Sequence, residues 1–156
     1  MNKYTFFWSG PFSQWYKSDM VIDGVKFNCC EQYMMYRKAL LFDDKEAITK
    51  IMKADDPYKQ KRLGREVKNF NQKEWDEIAR DVVYKANYAK FTQNEALKWK
   101  LINTFGTILV EASPFDKIWG IGLDEETASK TPEDEWPGTN WLGIEITKVR
   151  KQLFGN

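Results

Sequence analysis

The sequence contains no histidine among its 156 residues, which removes the commonest general base and the commonest metal ligand of proteins. Any acid–base chemistry must therefore use Asp, Glu, Lys, Tyr or water. The two cysteines, Cys29 and Cys30, are adjacent, so no disulfide framework that closes loops is available. Together with the lack of a signal-peptide pattern, this cysteine usage predicts a reducing, cytoplasmic location.

The chain also lacks long apolar runs and a strong net charge. No run approaches the roughly 20 apolar residues of a membrane span, so we expect no membrane partner. The net charge of +1, from 24 basic and 23 acidic residues, argues against a large footprint on duplex nucleic acid. It leaves open the recognition of one nucleotide or modified base. Aromatic residues are abundant, with 7 Trp, 7 Tyr and 10 Phe, so we expect some of them to line a pocket or an interface.

The length is typical of one domain, and we predict a single domain over residues 1–156. Asp23-Gly24 between apolar residues predicts a hairpin. Apolar periodicity and helix-start signals predict helices over residues 31–42, 45–54, 57–65, 72–91, 94–106 and 140–154. Residues 124–138 are acidic and rich in turn formers, which predicts a surface loop. The fold class is therefore α+β, helix-rich with a small sheet, and a Rossmann alternation is absent.

The predicted helix over residues 31–42 carries two charges in an unusual place. Seven residues of α-helix return to nearly the same azimuth, so Glu31 and Lys38 point the same way, about 10 Å apart along the axis. Both lie along the centre of an apolar stripe, where charges are costly to bury unless they are paired or functional. The predicted stripe comprises Met34, Met35, Leu41 and Phe42. The alternative is a structural helix start, with Glu31 favoured by the dipole and Lys38 reaching out to solvent.

A second unusual segment is residues 111–123, which follows a predicted strand over residues 107–110. It supplies two carboxylates, Glu111 and Asp116, and then Trp119, Gly120 and Gly122. Glycines let the backbone approach a ligand and an aromatic ring provides a flat wall, as small-molecule pockets require. The segment therefore predicts part of a pocket. The alternative is a corner in which Asp116 is a turn residue and Trp119 belongs to the core.

Both segments carry a family resemblance, which extends over nearly the whole chain. The matching pieces are residues 10–16, 31–35, 38–39, 56–57, 63–65, 75, 90–91, 93–94, 111–114, 116, 119–122, 138–140 and 142–143. In this order and spacing the chain resembles the NADAR (YbiA-like) family of N-glycosidases. The Cys29-Cys30 pair departs from the family pattern, where small or hydroxyl residues are more frequent, and it leaves the chemistry unchanged.

The resemblance implies an N-glycosidase that acts on ribose-bearing ligands without a cofactor. It places catalytic function at Glu31, Lys38 and Asp116, and substrate binding at Trp119. Four further residues of the predicted site are Tyr33, Arg65, Gly120 and Asn140. Arg65 could clamp a phosphate, although a surface arginine is an equally good interpretation. Asn140 could hydrogen-bond ribose or phosphate, or it could simply cap the last helix.

The residues also indicate how such a reaction could proceed. Cleavage of an N-glycosyl bond passes through an oxocarbenium-like sugar, for which Glu31, Glu111 and Asp116 are the candidate acids. An amine partly buried in an apolar stripe, such as Lys38, has a lowered proton affinity and can attack C1 to give a transient Schiff base. We expect no metal, because histidine is lacking and the acids show no ligand spacing of a known site.

Two function classes remain open at this point. The first is a hydrolase that cleaves the ribose–N bond of phosphorylated ribosylamino-pyrimidine intermediates of riboflavin synthesis, or that removes ADP-ribose from a guanine base, free or in nucleic acid. Both substrates are implied by the resemblance. The second class is a non-catalytic module that binds ADP-ribose or NAD-like ligands. The Glu31 and Lys38 pair favours the enzyme, and the oligomeric state is left undetermined.

Overall fold

The computed structural model describes residues 3–155, and within them the chain forms four strands and seven α-helices. In chain order they are β1 (Tyr4–Phe7), β2 (Met20–Ile22), β3 (Val25–Phe27), α1 (Cys30–Leu41), α2 (Lys45–Lys53), α3 (Pro57–Arg65), α4 (Gln72–Gln93), α5 (Glu95–Ile102), β4 (Ile108–Glu111), α6 (Glu125–Ser129) and α7 (Trp141–Phe154). Residues 14–94 form one unit, and the described part of residues 1–13 forms a second with residues 95–155. The expectation of one domain over residues 1–156 stays a prediction.

Local sequence signals set the boundaries of the elements in the unit of residues 14–94. Asp23 and Gly24 have positive φ angles of 52° and 79°, as the two-residue turn between β2 and β3 requires. The side chains of Asp44, Asp56 and Asn71 each accept a backbone N–H in the first turn of α2, α3 and α4. These caps explain why the helices begin close to where the sequence predicts them.

The core of this unit is built around α1, which lies against α2, α3 and α4. Gly64 lets helix α3 pack closely against the Met35 side chain of α1, because a Cβ at residue 64 would lie 2.0 Å from the Sδ atom of Met35. The predicted apolar stripe of α1 is only partly confirmed, since Met34 and Met35 are buried but Leu41 is 39% exposed. Tertiary packing explains why only part of the stripe is buried. The first six residues of α1 are all buried, whereas the last turn of the helix reaches the surface.

In the second unit, β1 and β4 pair in parallel, with Tyr4 opposite Ile108 and Phe7 opposite Glu111. Helix α7 lies against β4. The prediction of a surface loop over residues 124–138 is wrong in part, because α6 and a 3₁₀ turn (Glu133–Glu135) occupy it. Asp124 starts α6 by accepting the N–H of Thr127 at 2.8 Å, which a reading of composition alone overlooks.

The expected fold class, α+β and helix-rich with a small sheet, is confirmed. Each of the two sheets in residues 3–155 has two strands. Across these described residues, no helix combines the length and the apolar character needed to cross a membrane.

Candidate active site

The two charges singled out in the sequence both lie on α1, as expected. Glu31 is in the first turn and is 7% exposed, whereas Lys38 is in the last turn and is half-buried. The N–H of Glu31 donates to the carbonyl oxygen of Gln14 at 3.0 Å. The start of α1 thus buries a carboxylate, and two turns later the same helix carries an amine.

Burial lowers the pKa of Lys38 below its ordinary value of 10.5. The charge of Glu31 opposes this shift, and the charge of Arg65 adds to it. The Nζ atom also lies 4.5 Å from the centroid of the Phe70 ring. An amine with a lowered pKa gives up its proton more readily, so Lys38 is better suited to nucleophilic attack than an exposed lysine.

Arg65 and Tyr33 lie in the same unit as Glu31 and Lys38. Arg65 is exposed at the end of α3, and its charge interacts with Lys38. Tyr33 is 2% exposed and packs edge-on against Phe27, with ring centroids 5.0 Å apart. Its hydroxyl accepts a hydrogen bond from Arg37 at 2.7 Å. Tyr33 therefore serves the core, and its assignment to substrate binding stays a prediction.

Asp116 and Trp119 lie in the second unit, in the segment after β4. One carboxylate oxygen of Asp116 accepts the N–H groups of Ile118 and Trp119, both at 2.9 Å. This is the turn geometry that the sequence offered as an alternative. The Trp119 ring is partly exposed and meets Trp141 edge-on at 5.6 Å. Both side chains thus have structural partners, and their functional roles stay predictions.

Gly120 is buried in a place where no side chain fits. A Cβ would lie 2.9 Å from the carbonyl oxygens of Asp116 and Glu111, and 3.1 Å from a carboxylate oxygen of Glu111. Backbone oxygens cannot retreat as a flexible side chain can, so the fold itself requires glycine here. Contact between Gly120 and a ligand stays a prediction.

Asn140 performs a different structural task from the one expected. Its side chain caps none of the described N–H groups of α7, although it precedes that helix with a φ of 55°. Instead its amide accepts the N–H of Glu111 at 2.9 Å and donates to the carbonyl of Leu109 at 3.0 Å. The amide thus continues the hydrogen bonding of β4 as a neighbouring strand would. The helix-cap interpretation was wrong because an amide matches a peptide group in both donor and acceptor.

Within residues 3–155, no three Asp, Glu or Cys side chains come together in a way that could hold a metal ion. The expected independence from metals stays a prediction.

A family model described as the NADAR domain matches residues 6–154 of the chain. The chain belongs to the NADAR family. The expected family is thereby confirmed.

Several NADAR relatives are similar to this chain. Protein irg-1 of Caenorhabditis elegans is 46% identical over 83% of this chain, which spans 62% of that protein. The N-glycosidase R617 of Acanthamoeba polyphaga mimivirus is 44% identical over 90% of this chain and 86% of its own length. The NMR structure of Escherichia coli YbiA superposes with a TM-score of 0.80 at 28% identity, covering 98% of this chain and 86% of that one.

Membership of this family, with relatives named N-glycosidase, identifies the class of enzyme as a hydrolase of N-glycosyl bonds. The reasoning from sequence assigned no role to two residues linked to the start of α1, Gln14 and Asn87, whose side chains are buried and joined by a hydrogen bond of 2.8 Å. One signal could have revealed Asn87, because a polar amide stands next to the apolar stripe of Val82 and Ala86 on α4.

Proposed function

We propose that the chain hydrolyses the ribose–N bond of phosphorylated ribosylamino-pyrimidine intermediates of riboflavin synthesis, with Lys38 and Glu31 as its catalytic pair. The observation that carries the proposal is the half-buried amine of Lys38, with a lowered pKa, on the same helix as the buried Glu31 carboxylate. Support for the substrate comes from relatives named riboflavin biosynthesis proteins. They include one from Arabidopsis thaliana, 32% identical over 70% of this chain, and one from Vibrio vulnificus, 29% identical over 92%.

The proposed reaction uses the free amine of Lys38. Its Nζ lone pair forms a bond to C1 of the ribose while the C1–N bond to the base breaks, and the proton that the bonded Nζ atom loses passes to the leaving nitrogen. Opening of the ribose ring gives a Schiff base between Nζ and C1. Water adds to that carbon, and collapse of the adduct releases the sugar and regenerates the amine. Glu31 stabilises the positive charge on the sugar and removes a proton from the attacking water.

The remaining predicted residues have supporting roles in this proposal. Asp116 as a third acid, and Trp119 and Gly120 as residues that contact the base or the ribose, lie in the second unit, and their roles stay predictions. Arg65 binds the substrate phosphate, for which a guanidinium fork is well suited. Substrate binding by Tyr33 and Asn140 stays a prediction, since the polar atoms of both side chains already bond to protein partners.

A second candidate function is removal of ADP-ribose from guanine. The family resemblance implies this activity, and the pattern of similarity leaves it open: irg-1 and R617, at 46% and 44% identity, carry no riboflavin name, whereas the riboflavin-named relatives reach 29–32%. A non-catalytic module for ADP-ribose or NAD-like ligands is the third possibility. The half-buried amine of Lys38, with its lowered pKa, favours the enzyme over such a module, because binding alone does not require a nucleophile.

Replacement of Lys38 tests the proposal. We expect Lys38→Ala to abolish turnover while the thermal transition is retained, because the half-buried side chain can be shortened without opening the core. Borohydride added during turnover should reduce the Schiff base and leave the sugar on Lys38 of the wild-type protein, detectable by peptide mass spectrometry. Lys73→Ala, an exposed lysine on α4, is the matched control and should behave as wild type. Full activity in Lys38→Ala would refute the amine mechanism.

A companion assay identifies the substrate. The pure protein is incubated separately with the ribosylamino-pyrimidine phosphate and with ADP-ribosylated guanosine, and the released base is quantified by chromatography. The proposal expects a higher kcat/KM for the pyrimidine. A preference for the guanosine compound would establish the second function, and binding without release of either base would establish the third.

A further inference from the structure

The position of Glu31 depends on a residue outside its own helix. The first N–H groups of any α-helix lack partners inside the helix. In the described chain the side chain of Cys29, which precedes α1, caps none of them. The carbonyl oxygen of Gln14 takes the N–H of Glu31 at 3.0 Å instead. The backbone from which the Glu31 carboxylate projects is therefore held by a residue 17 positions earlier in the chain.

The side chain of Gln14 is held in turn by Asn87 of α4. The amide nitrogen of Asn87 donates to the Oε1 atom of Gln14 at 2.8 Å and to the carbonyl of Val83 at 2.9 Å. The oxygen of Asn87 accepts a weak hydrogen bond from the Cys30 thiol at 3.7 Å. Gln14 is 9% exposed and Asn87 is fully buried. A buried amide is costly unless its bonds are made, and here both ends of Asn87 are engaged.

A second contact ties α4 to the same segment. Lys90 lies three residues after Asn87, and its Nζ atom is 5.7 Å from the centroid of the Tyr16 ring. Residues three apart lie on the same side of a helix. Helix α4 therefore meets the segment of residues 14–16 at two points, and that segment meets the start of α1.

We propose that Asn87 and Gln14 are positioning residues for Glu31. Asn87 fixes the orientation of residue 14, the carbonyl of residue 14 fixes the first turn of α1, and the first turn aims the carboxylate. The inference rests on the proposed function, in which Glu31 acts on the sugar and the water. A displacement of about 1 Å in a catalytic group can cost up to roughly 10²-fold in rate, so a fully buried link of this kind has a measurable effect.

The link itself is tested without substrate, by hydrogen exchange of the Glu31 amide followed by NMR. We expect this amide to be protected in the wild-type protein and to exchange faster in Asn87→Leu, which keeps the size but loses both donors. Gln14→Met, which loses the acceptor, should have the same effect. The matched control is Gln60→Leu, a fully buried amide that bonds to the Cys29 thiol but not to Gln14. It should leave the protection of Glu31 unchanged relative to its neighbours.

Kinetic measurements on the same variants separate an effect on the position of Glu31 from an effect on the stability of the protein. We expect Asn87→Leu and Gln14→Met to lower kcat roughly 10- to 100-fold with little change in KM. The rising limb of the pH–rate profile should also shift, because the charge of Glu31 raises the pKa of Lys38. The double variant should lose no more than either single variant, because both remove the same bond. Gln60→Leu should lower thermal stability to a similar degree and keep kcat and the profile.

Three results would overturn the inference: unchanged protection of Glu31 in Asn87→Leu, a faster exchange with unchanged kcat, or a loss of kcat equal to that of Gln60→Leu. A failure of the proposed function itself would be seen in a different measurement, the turnover of substrate. Wild-type protein without turnover, or a fully active Glu31→Gln, would refute the reaction, whereas the exchange arm would still report whether Asn87 holds Glu31.

Discussion

At the scale of single residues, two lysines within residues 3–155 have a pKa lowered by burial, Lys38 and Lys90, and they differ in access. Lys90 is fully buried, so a sugar cannot reach it. Lys38 is half-buried, and its charge interacts with both Glu31 and Arg65. A nucleophile needs a lowered pKa and also a path to the substrate. Only Lys38 of these two combines both properties.

The lowered pKa of Lys38 has a consequence for the pH dependence of the rate. Only the neutral amine attacks, so kcat/KM should rise as the pH passes the lowered pKa of Lys38 and level off at a lower pH than it would for a lysine with the ordinary pKa of 10.5. The positive charge of Arg65 lowers this pKa, so Arg65→Leu should move the rising limb to higher pH. Rates measured across the pH range for both proteins test this. A limb that stays in place would show that another group titrates.

Trp119 allows a second test at this scale. Stacking of a base on an aromatic ring contributes about 1–3 kcal/mol. Trp119→Ala should therefore weaken the binding of ADP-ribose or ribose phosphate by roughly 5- to 150-fold, measured by calorimetry. Trp99→Ala, which removes a ring that is 59% exposed on α5, is the control. If Trp119→Ala loses its thermal transition through the missing contact with Trp141, and binds normally whenever it is folded, the ring belongs to the core.

At the scale of elements, α4 carries both Asn87 of the proposed positioning link and a buried amine, Lys90. The Nζ atom of Lys90 lies 5.1 Å from the centroid of the Phe91 ring. The amine also interacts electrostatically with the thiols of Cys30 and Cys29. Burial lowers the pKa of Lys90, so the unfolded chain binds more protons than the folded chain between that lowered value and 10.5. The free energy of unfolding should therefore rise with pH in this range.

Lys90→Met tests this linkage, because it removes the amine but keeps a long apolar side chain. We expect the variant to gain less stability than the wild type when the pH rises from about 7 to about 9.5, measured by urea unfolding. Lys85→Met changes an exposed lysine of the same helix and should keep the wild-type dependence. Parallel curves for wild type and Lys90→Met would mean that Lys90 has the same pKa in both states.

At the scale of the whole molecule, the family match extends over residues 6–154, so the N-glycosidase class is a property of nearly the whole chain. The chain spans 62% of the length of irg-1 and 86% of R617. Substrate choice within the class remains a proposal, because the riboflavin names belong to relatives of lower identity.

The proposed mechanism predicts that activity does not depend on a metal. An amine and carboxylates carry the steps that a metal-bound water would otherwise perform. Prolonged chelation followed by gel filtration should leave kcat/KM unchanged. Loss of activity that returns specifically with Mg²⁺ or Zn²⁺ would contradict the mechanism and would point to acidic ligands brought together by the substrate.

The sequence by itself determined the family, the helix-rich α+β class and the placement of Glu31 and Lys38 on one helix. The family follows from the order and spacing of the matching residues. The fold class and the shared helix follow from turn residues, caps and helical periodicity, which act between neighbours in the chain. The hairpin at Asp23-Gly24 and the start of α3 at Pro57 followed for the same reason.

Only the tertiary structure decided which side chains are buried and which residues form hydrogen bonds with them. The partnership of Gln14 with Asn87 joins residues 73 positions apart, and the amide of Asn140 reaches β4 rather than its own helix. No periodicity in the chain encodes such contacts, because they depend on how helices and strands pack. The lowered pKa of Lys38 belongs to this class as well, since desolvation exists only once the core has formed around α1.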